Sequence, residues 1–127
     1  MCAIINLTQH EATQDQINAG VLEPAPEDKK IIQELLTFEE FPYVEELERR
    51  AYGLATLVTN MGASNASHHT VMIGGAPFFM GRLEAALKAQ GHHPVYAFSR
   101  RRSYDQTQPD GTVKKVAVFQ HLGFVEA

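Results

Sequence analysis

The segment from Thr70 to Phe98 constrains the fold of this chain more than any other part. An apolar run at 70–73 is followed by the small-residue turn 74–76 and by Pro77, which is favoured as the first residue of a helix. Apolar residues at helical spacing then continue towards Gly91, and a second apolar run occupies 93–98. This order predicts a β-α-β unit, whose two strands lie parallel and are joined by a crossover helix.

The flanking segments add further elements. Residues 2–7 predict a buried first strand, Thr13 predicts the cap of a short helix, and 21–26 predict a connector that contains prolines. Helices are expected over 28–36 and about 43–60, and a turn at 109–111 is expected to join strands at 101–107 and 112–119. We therefore expect an α/β fold with a mainly parallel sheet flanked by helices and a C-terminal β-hairpin.

Length favours one domain. A chain of 127 residues buries one sizeable core and shows no linker to a second, so we expect a single domain over 1–127 with a helical insertion at about 27–60. No apolar run is long enough for a bilayer, the N-terminal pattern differs from a secretory signal, and the only cysteine, Cys2, lacks a disulfide partner. These features predict a cytoplasmic protein without a membrane partner.

Charge is distributed unevenly along the chain. Residues 1–67 hold four basic and eleven acidic side chains, whereas residues 68–127 hold seven basic and four acidic ones. Two interpretations stay open. The first half can simply carry acidic, solvent-exposed helices, or the second half can hold an anion site despite the overall charge of −4.

Candidate ligand-binding residues follow the predicted strands, because ligands of open α/β sheets bind beyond the carboxyl ends of the strands. The turn 74–76 lacks the pattern of a dinucleotide-binding or Walker loop, so a purely structural turn is an equal alternative. The candidates are Asn6, Thr8, Gln9 and His10 after the first strand, Gly74, Gly75, Ala76 and Phe78 before the crossover helix, and Ser99, Arg100, Arg101 and Arg102 after the next strand.

Among these candidates, the arginines offer phosphate binding and the histidine offers proton transfer. Guanidinium groups bind phosphate bidentately, but successive strand residues face opposite ways, so at most two of Arg100 to Arg102 can face one ligand. A solvated strand end is the alternative. His10 is the histidine best placed for proton transfer, with a surface role as the alternative, and His121 is interpreted as structural. No histidine or cysteine spacing fits a metal site, so we predict neither a metal nor a cofactor.

Several residues occur in one order along the chain. They are Asn6, His10, Thr13 and Gln16, the turn 74–76, Pro94-Val95-Tyr96-Ala97 with Arg101, Asp110-Gly111 with Val113, and Phe119, His121 and Phe124. In this order the chain resembles the small CRISPR-associated Csx proteins, which are compact relatives of CARF-type Rossmann-like domains. The resemblance covers nearly all of 70–125, but in the N-terminal half only the first strand and its loop, and the acidic stretch 21–60 departs from the shortest members.

The resemblance implies binding of cyclic oligoadenylate, the second messenger of type III CRISPR defence, with cyclic tetra-adenylate as the favoured ring. It also implies a homodimer, no duplex nucleic acid as partner, and metal-independent cleavage by a ring nuclease. In that interpretation His10 acts as a base or orients the sugar, and Arg100 or Arg101 stabilises the phosphorane. The alternatives are a non-catalytic sensor or sponge, and a phage or accessory protein that binds another protein through its acidic helices.

Overall fold

The protein has an α/β fold built on one five-stranded, mostly parallel sheet. The computed structural model describes residues 3–61 and 68–127. The strands lie in the order β2-β1-β3-β4-β5, with only the last pair antiparallel, which is compatible with the Rossmann-like class expected. The elements are β1 Ile4–Leu7, α1 Gln14–Asn18, β2 Val21–Leu22, α2 Pro26–Leu36, α3 Val44–Thr59, β3 Thr70–Ile73, α4 Pro77–Ala89, β4 His93–Thr107 and β5 Val113–Glu126.

The predicted β-α-β unit is confirmed. Strands β3 and β4 pair in parallel, with Met72 beside Val95, and α4 connects them. Pro77 is the first residue of α4, and Gly91 follows its end with a φ of 86°, a conformation that glycine adopts without a steric penalty.

The main core lies on one face of the sheet, beneath α2, α3 and α4. Alternate strand residues point to that face, and both predicted middle helices contribute buried side chains at helical spacing. The helices expected as an insertion therefore share one core with the β-α-β unit. This core includes Leu7, Val71 and Ile73 of the strands, Ile32 and Leu36 of α2, Leu47, Leu54 and Val58 of α3, and Phe79, Leu83 and Leu87 of α4.

The opposite face of the sheet holds a smaller apolar cluster. Ile4, Val21, Met72 and Val95 are buried there, and Phe124 of β5 packs against them. Asn6, two residues after Ile4 in the same strand, also lies on this face and is only 2% exposed. The polar side chain of Asn6 is thus buried on the face of the sheet that holds the smaller apolar cluster.

The connector predicted over 21–26 is wrong in its first part. Val21 and Leu22 form β2, an edge strand that pairs in parallel with Ile4 and Ile5 of β1, and Val21 is buried. Two residues are too few to produce a readable alternation, so burial and pairing decide their conformation here.

The two strands predicted around Phe98 are one. Strand β4 runs without a break from His93 to Thr107, with a register shift at Phe98/Ser99 where it pairs with β5. Such irregularities bend a strand without ending it. Beyond the shift, β4 and β5 leave the parallel sheet as a two-stranded ribbon over residues 99–122, which we call the arm.

Thr13 caps α1 as predicted, and Gln16 completes a reciprocal capping box with it. No helix in the described ranges combines the length and the apolar character that crossing a bilayer requires. Two sequence predictions, the unpaired Cys2 and most of the loop at 62–69, lie outside the described residues.

Candidate functional site

A cavity of about 410 Å³ opens at the carboxyl ends of β1 and β3, beside Tyr96 and Ala97 of β4. One wall is the loop after β1, the other is the glycine turn after β3, and the floor is formed by the last residues of β3 and by these two residues of β4. Five predicted site residues line it. The lining comprises Thr8, Gln9, His10, Glu11, Thr13, Gln16, Met72, Ile73, Gly74, Gly75, Tyr96 and Ala97.

A larger cavity, of about 680 Å³, lies at the other end of the sheet, beside Ala3, which precedes β1, and Thr70, which begins β3. It is lined mainly by apolar groups, and its polar rim includes His68 and His69, which directly follow an undescribed segment. We assign the candidate site to the smaller cavity, since it lies where the adjacent parallel strands β1 and β3 both end, the edge at which α/β folds bind their ligands.

Asn6 lies beneath the cavity and does not line it. Its amide nitrogen donates to the main-chain oxygen of His10 at 2.8 Å and to both carboxylate oxygens of Glu23, at 3.0 and 3.2 Å. Its amide oxygen accepts from the main-chain N–H and the hydroxyl of Thr8, at 3.1 and 2.7 Å. Asn6 therefore fixes the course of the loop that carries the cavity's polar side chains.

His10 reaches the cavity from that loop. The Thr8 hydroxyl accepts from its main-chain N–H at 3.3 Å and lies 3.0 Å from its main-chain oxygen, while the residue as a whole is solvent-exposed. Its backbone is thus held and its ring is open to a ligand. Gln9 also lines the cavity, but its amide nitrogen donates to the hydroxyl of Thr37 at 2.8 Å, which ties the loop to the end of α2.

The glycine turn forms the facing wall. Gly75 has a φ of 153°, which favours glycine, and a Cβ there would lie 3.4 Å from Cε of Met80. A Cβ on Gly74 would lie 3.7 Å from Cγ2 of Thr8, an ordinary contact. The turn leads into α4, whose N-terminus has no side-chain cap and no acidic residue in its first turn. Pro77 has no N–H, and the N–H of Phe79 donates to the main-chain oxygen of Ala76 at 3.0 Å, which leaves the N–H of Phe78 at this helix start for an anion.

Ala76 and Phe78, both predicted as ligand contacts, are placed away from the cavity. Ala76 packs partly buried against the main core. Phe78 makes an edge-to-face contact with Phe38, with ring centroids 5.0 Å apart, on the helical side of the sheet. Neither residue is among those that line the cavity.

Ser99 and the three arginines lie on the arm, not in the cavity. Ala97 lines the cavity, so Arg100 stands three residues, about 10 Å, further along the extended strand. Arg100 pairs with Gln120, Arg101 with Phe119 and Arg102 with Val118. Alternation places Arg101 on the opposite face of the arm from the other two. Within the described ranges, the cavity lining contains no lysine or arginine.

Glu23 is a positioning residue that sequence reasoning missed. Its carboxylate accepts hydrogen bonds from Asn6 and from the main-chain N–H of Ala12, and it lies 3.5 Å from the Lys29 ammonium. Burial raises its pKa, but these hydrogen bonds and the lysine charge outweigh burial and hold the pKa below its usual value. It follows β2, which the sequence pattern did not reveal.

Tyr96 forms part of the cavity floor with its hydroxyl already engaged. That hydroxyl donates to a carboxylate oxygen of Glu84 in α4. Burial, together with this bond and the carboxylate charge, raises the pKa of Tyr96. The tyrosine therefore stays protonated at neutral pH and does not act as a base at the cavity. Among the described residues, no three His, Cys, Asp or Glu side chains are grouped so that they could hold a metal ion.

Comparison with known proteins gives a family for the chain. Neither a search of curated proteins nor a search of solved structures found a match. A family model matches residues 2–125, a range that begins before β1 and ends within β5. The chain therefore belongs to the uncharacterized protein MJ1673 family.

Proposed function

We propose that this protein binds cyclic oligoadenylate, with cyclic tetra-adenylate as the favoured ring, and cleaves it as a CARF-like, metal-independent ring nuclease that switches off type III CRISPR signalling in the cytoplasm. The observation that carries the proposal is the cavity between the His10 loop and the Gly74–Gly75 turn. It combines the glycine turn before α4 with an exposed imidazole at the carboxyl edge of the parallel strands.

The dimensions of the cavity support a nucleotide unit as the bound group. Its volume, about 410 Å³, lies in the lower part of the range of roughly 300–1,000 Å³ found for small-molecule sites. One cavity suits one nucleotide better than a ring of several. A second copy of the chain, related by a two-fold axis that the cyclic ligand shares, would supply a matching cavity, so the proposal includes a homodimer.

Cleavage in this site would use the ribose as nucleophile. The imidazole of His10 would accept the proton of a 2′-hydroxyl as its oxygen bonds to the adjacent phosphorus. The bond from phosphorus to the 5′-oxygen would then break, and the 5′-oxygen would take up a proton. The products would be a 2′,3′-cyclic phosphate and a 5′-hydroxyl. Arg100 or Arg101, carried to the phosphate by an arm, would stabilise the charge on the phosphorane.

A non-catalytic sensor or sponge is the second candidate, and one observation favours it. The described lining of the cavity contains no lysine or arginine, while transition-state stabilisation at phosphate normally uses one. Binding through main-chain N–H groups needs no such side chain. If neither arm brings an arginine to the cavity, the messenger would be bound and released intact.

The experiment that tests the proposal is incubation of the purified protein with cyclic tetra-adenylate, with and without EDTA, followed by separation of the products. Cleavage that persists in EDTA and leaves 2′,3′-cyclic phosphate ends is expected. Calorimetric binding without cleavage would support the sensor. A lack of both binding and cleavage would reject cyclic tetra-adenylate as the ligand.

A further inference from the structure

The arm is an exposed element that its own chain does not cover. Every residue from Ser99 to Thr107 is exposed, Tyr104 among them at 48%, and on β5 Val118 is 40% exposed. A two-stranded ribbon with both faces in water is marginally stable by itself, and exposed valines and aromatic rings add an unfavourable apolar surface. The arm therefore has the properties of a segment that another surface covers.

The two faces of the arm differ in charge. Residues directly opposite in an antiparallel pair share a face, and the pairs Arg102–Val118, Tyr104–Val116 and Gln106–Lys114 stand on one of them together with Arg100. This face, which we call the basic face, carries three cations, three apolar or aromatic side chains and no carboxylate. The other face is nearly neutral by comparison, because Asp105 lies opposite Lys115 there.

An acidic groove of about 710 Å³ lies where α2 connects to α3. Phe41 and Tyr43 stand at its rim, 79% and 69% exposed, in an edge-to-face pair with ring centroids 5.4 Å apart. Neither Glu39 nor Glu40 forms an ion pair with any residue in the ranges 3–61 and 68–127. The lining comprises Glu34, Glu39, Glu40, Glu46, Lys30, Arg50, Gln33, Thr37, Phe41 and Tyr43.

The arginine in this groove does not neutralise the groove's outer surface. Arg50 donates to the main-chain oxygens of Glu34, Leu35 and Thr37 at 3.2, 3.1 and 2.7 Å. Its guanidinium also stacks over the ring of Phe38, 4.5 Å from the centroid, and pairs with Glu46 at 3.5 Å. The guanidinium therefore binds the main-chain oxygens at the end of α2. The outer surface of the groove presents carboxylates beside the rings of Phe41 and Tyr43.

We propose that the basic face of the arm packs into the acidic groove of a second copy of this chain. The basic face brings cations and apolar side chains, and the groove offers carboxylates and exposed rings, so the two surfaces are complementary in both respects. Both are exposed in the same chain, so they do not cover each other within it. Each chain has one arm and one groove, and a reciprocal exchange closes a two-fold dimer without leaving either surface open.

The test uses two charge-reversed variants and their mixture, without nucleotide. One variant carries Arg102→Glu with Lys114→Glu on the basic face, and the other carries Glu39→Arg with Glu40→Arg in the groove. We expect a wild-type dimer in sedimentation equilibrium, and at least a tenfold weaker dimer for each variant alone, because like charges then face each other. Mixing the variants should restore a dimer that contains one copy of each, since both of its contacts are again complementary.

The matched control carries Arg82→Glu with Lys88→Glu on α4, which changes net charge by the same amount and should leave the dimer unchanged. Recovery on mixing excludes misfolding as the cause of dissociation. A monomeric wild type, a dimer that the arm variant leaves intact, or a mixture that fails to associate would overturn the inference. So would loss of binding to a single-stranded RNA oligonucleotide in the arm variant with its dimer unaffected, which would make the arm a nucleic-acid surface. None of these results depends on cyclic oligoadenylate, so the inference and the proposed function can fail separately.

Discussion

The buried amide of Asn6 donates a hydrogen bond to the main-chain oxygen of His10, at 2.8 Å, and so connects β1 to the residue that we propose for proton transfer. The same amide binds Glu23 and Thr8. These hydrogen bonds hold the loop after β1, including His10, in one position relative to the sheet.

Removing the Asn6 side chain should destabilise the fold. In Asn6→Ala the main-chain N–H of Thr8 loses its partner, which costs about 1–3 kcal/mol, and the Glu23 carboxylate loses one hydrogen bond but keeps Ala12 and Lys29. We expect the free energy of unfolding in urea to fall by about that amount or more. Asn18→Ala, at an exposed position, should change it by less than about 0.5 kcal/mol. Equal effects of the two substitutions would contradict a special role for Asn6.

A second buried polar residue, His92, should make stability depend on pH. The main-chain N–H of His69 donates to Nδ1 of His92 at 3.2 Å, so the other ring nitrogen, 2.8 Å from the hydroxyl of Thr59, carries the proton. Burial, and secondarily the charges of His69, His68 and His93, lower the pKa of His92 below 6.5.

The lowered pKa of His92 determines the direction in which stability changes with pH. As the pH falls, the unfolded chain takes up a proton at His92 before the folded chain does. The contribution of His92 to stability is therefore full above pH 6.5 and is lost as the pH falls from there through the folded pKa. Urea unfolding at a series of pH values should show this loss in the wild type and a flatter profile in His92→Gln. The same substitution at the exposed His10, which is not among the groups that lower the pKa of His92, should leave the wild-type slope in place.

Periodicity and capping signals predicted the β-α-β unit and the long helix α3 because those elements repeat a pattern over many residues. Strand β2 was not predicted, because Val21 and Leu22 are too short a run to show a pattern. The role of Glu23, which follows this strand, was missed for the same reason. The wall residues Thr8, Gln9, His10, Gly74 and Gly75 followed from one rule, that parallel strands end at a common edge. The arginines were expected at the same edge, but β4 continues past it into the arm, and only tertiary pairing with β5 determines where a strand leaves a sheet.

The glycine turn offers a test of ligand approach that does not strain the backbone. Gly75 has a φ of 153°, so any substitution there disturbs the fold as well as the cavity. Gly74→Asp avoids that ambiguity, because a Cβ at Gly74 meets only Cγ2 of Thr8, at 3.7 Å. The added carboxylate should reduce affinity for cyclic tetra-adenylate by tenfold or more through repulsion of phosphate, with an unchanged circular dichroism spectrum. Gly81→Asp, in open space on α4, is the control, and unchanged affinity in Gly74→Asp would make the turn structural.

The opposite orientations of Arg100 and Arg101 predict unequal effects on ligand binding. Only one face of the arm can meet a given ligand, so one of Arg100→Ala and Arg101→Ala should weaken binding of cyclic tetra-adenylate by about 1.5–3 kcal/mol and the other should change it little. Arg102→Ala should follow Arg100→Ala, because the two share a face. Calorimetry on the three variants measures this. Equal losses for Arg100→Ala and Arg101→Ala would show that the faces of the arm do not decide contact.

His10 should affect turnover more than binding. If its imidazole accepts the proton of the 2′-hydroxyl, His10→Ala should slow single-turnover cleavage of cyclic tetra-adenylate by about 10²-fold or more, with a modest loss of affinity. A histidine that only orients the sugar would cause a smaller loss of rate. Because the His10 main chain is held by Asn6 and Thr8, the substitution should leave the loop in place, and the free energy of unfolding should stay within about 0.5 kcal/mol of the wild type. His93→Ala, an exposed histidine at the start of β4, is the matched control and should cleave at the wild-type rate. Equal rates for wild type and His10→Ala at saturating enzyme would remove His10 from the mechanism, and binding without cleavage by the wild type would leave the sensor as the function of the cavity.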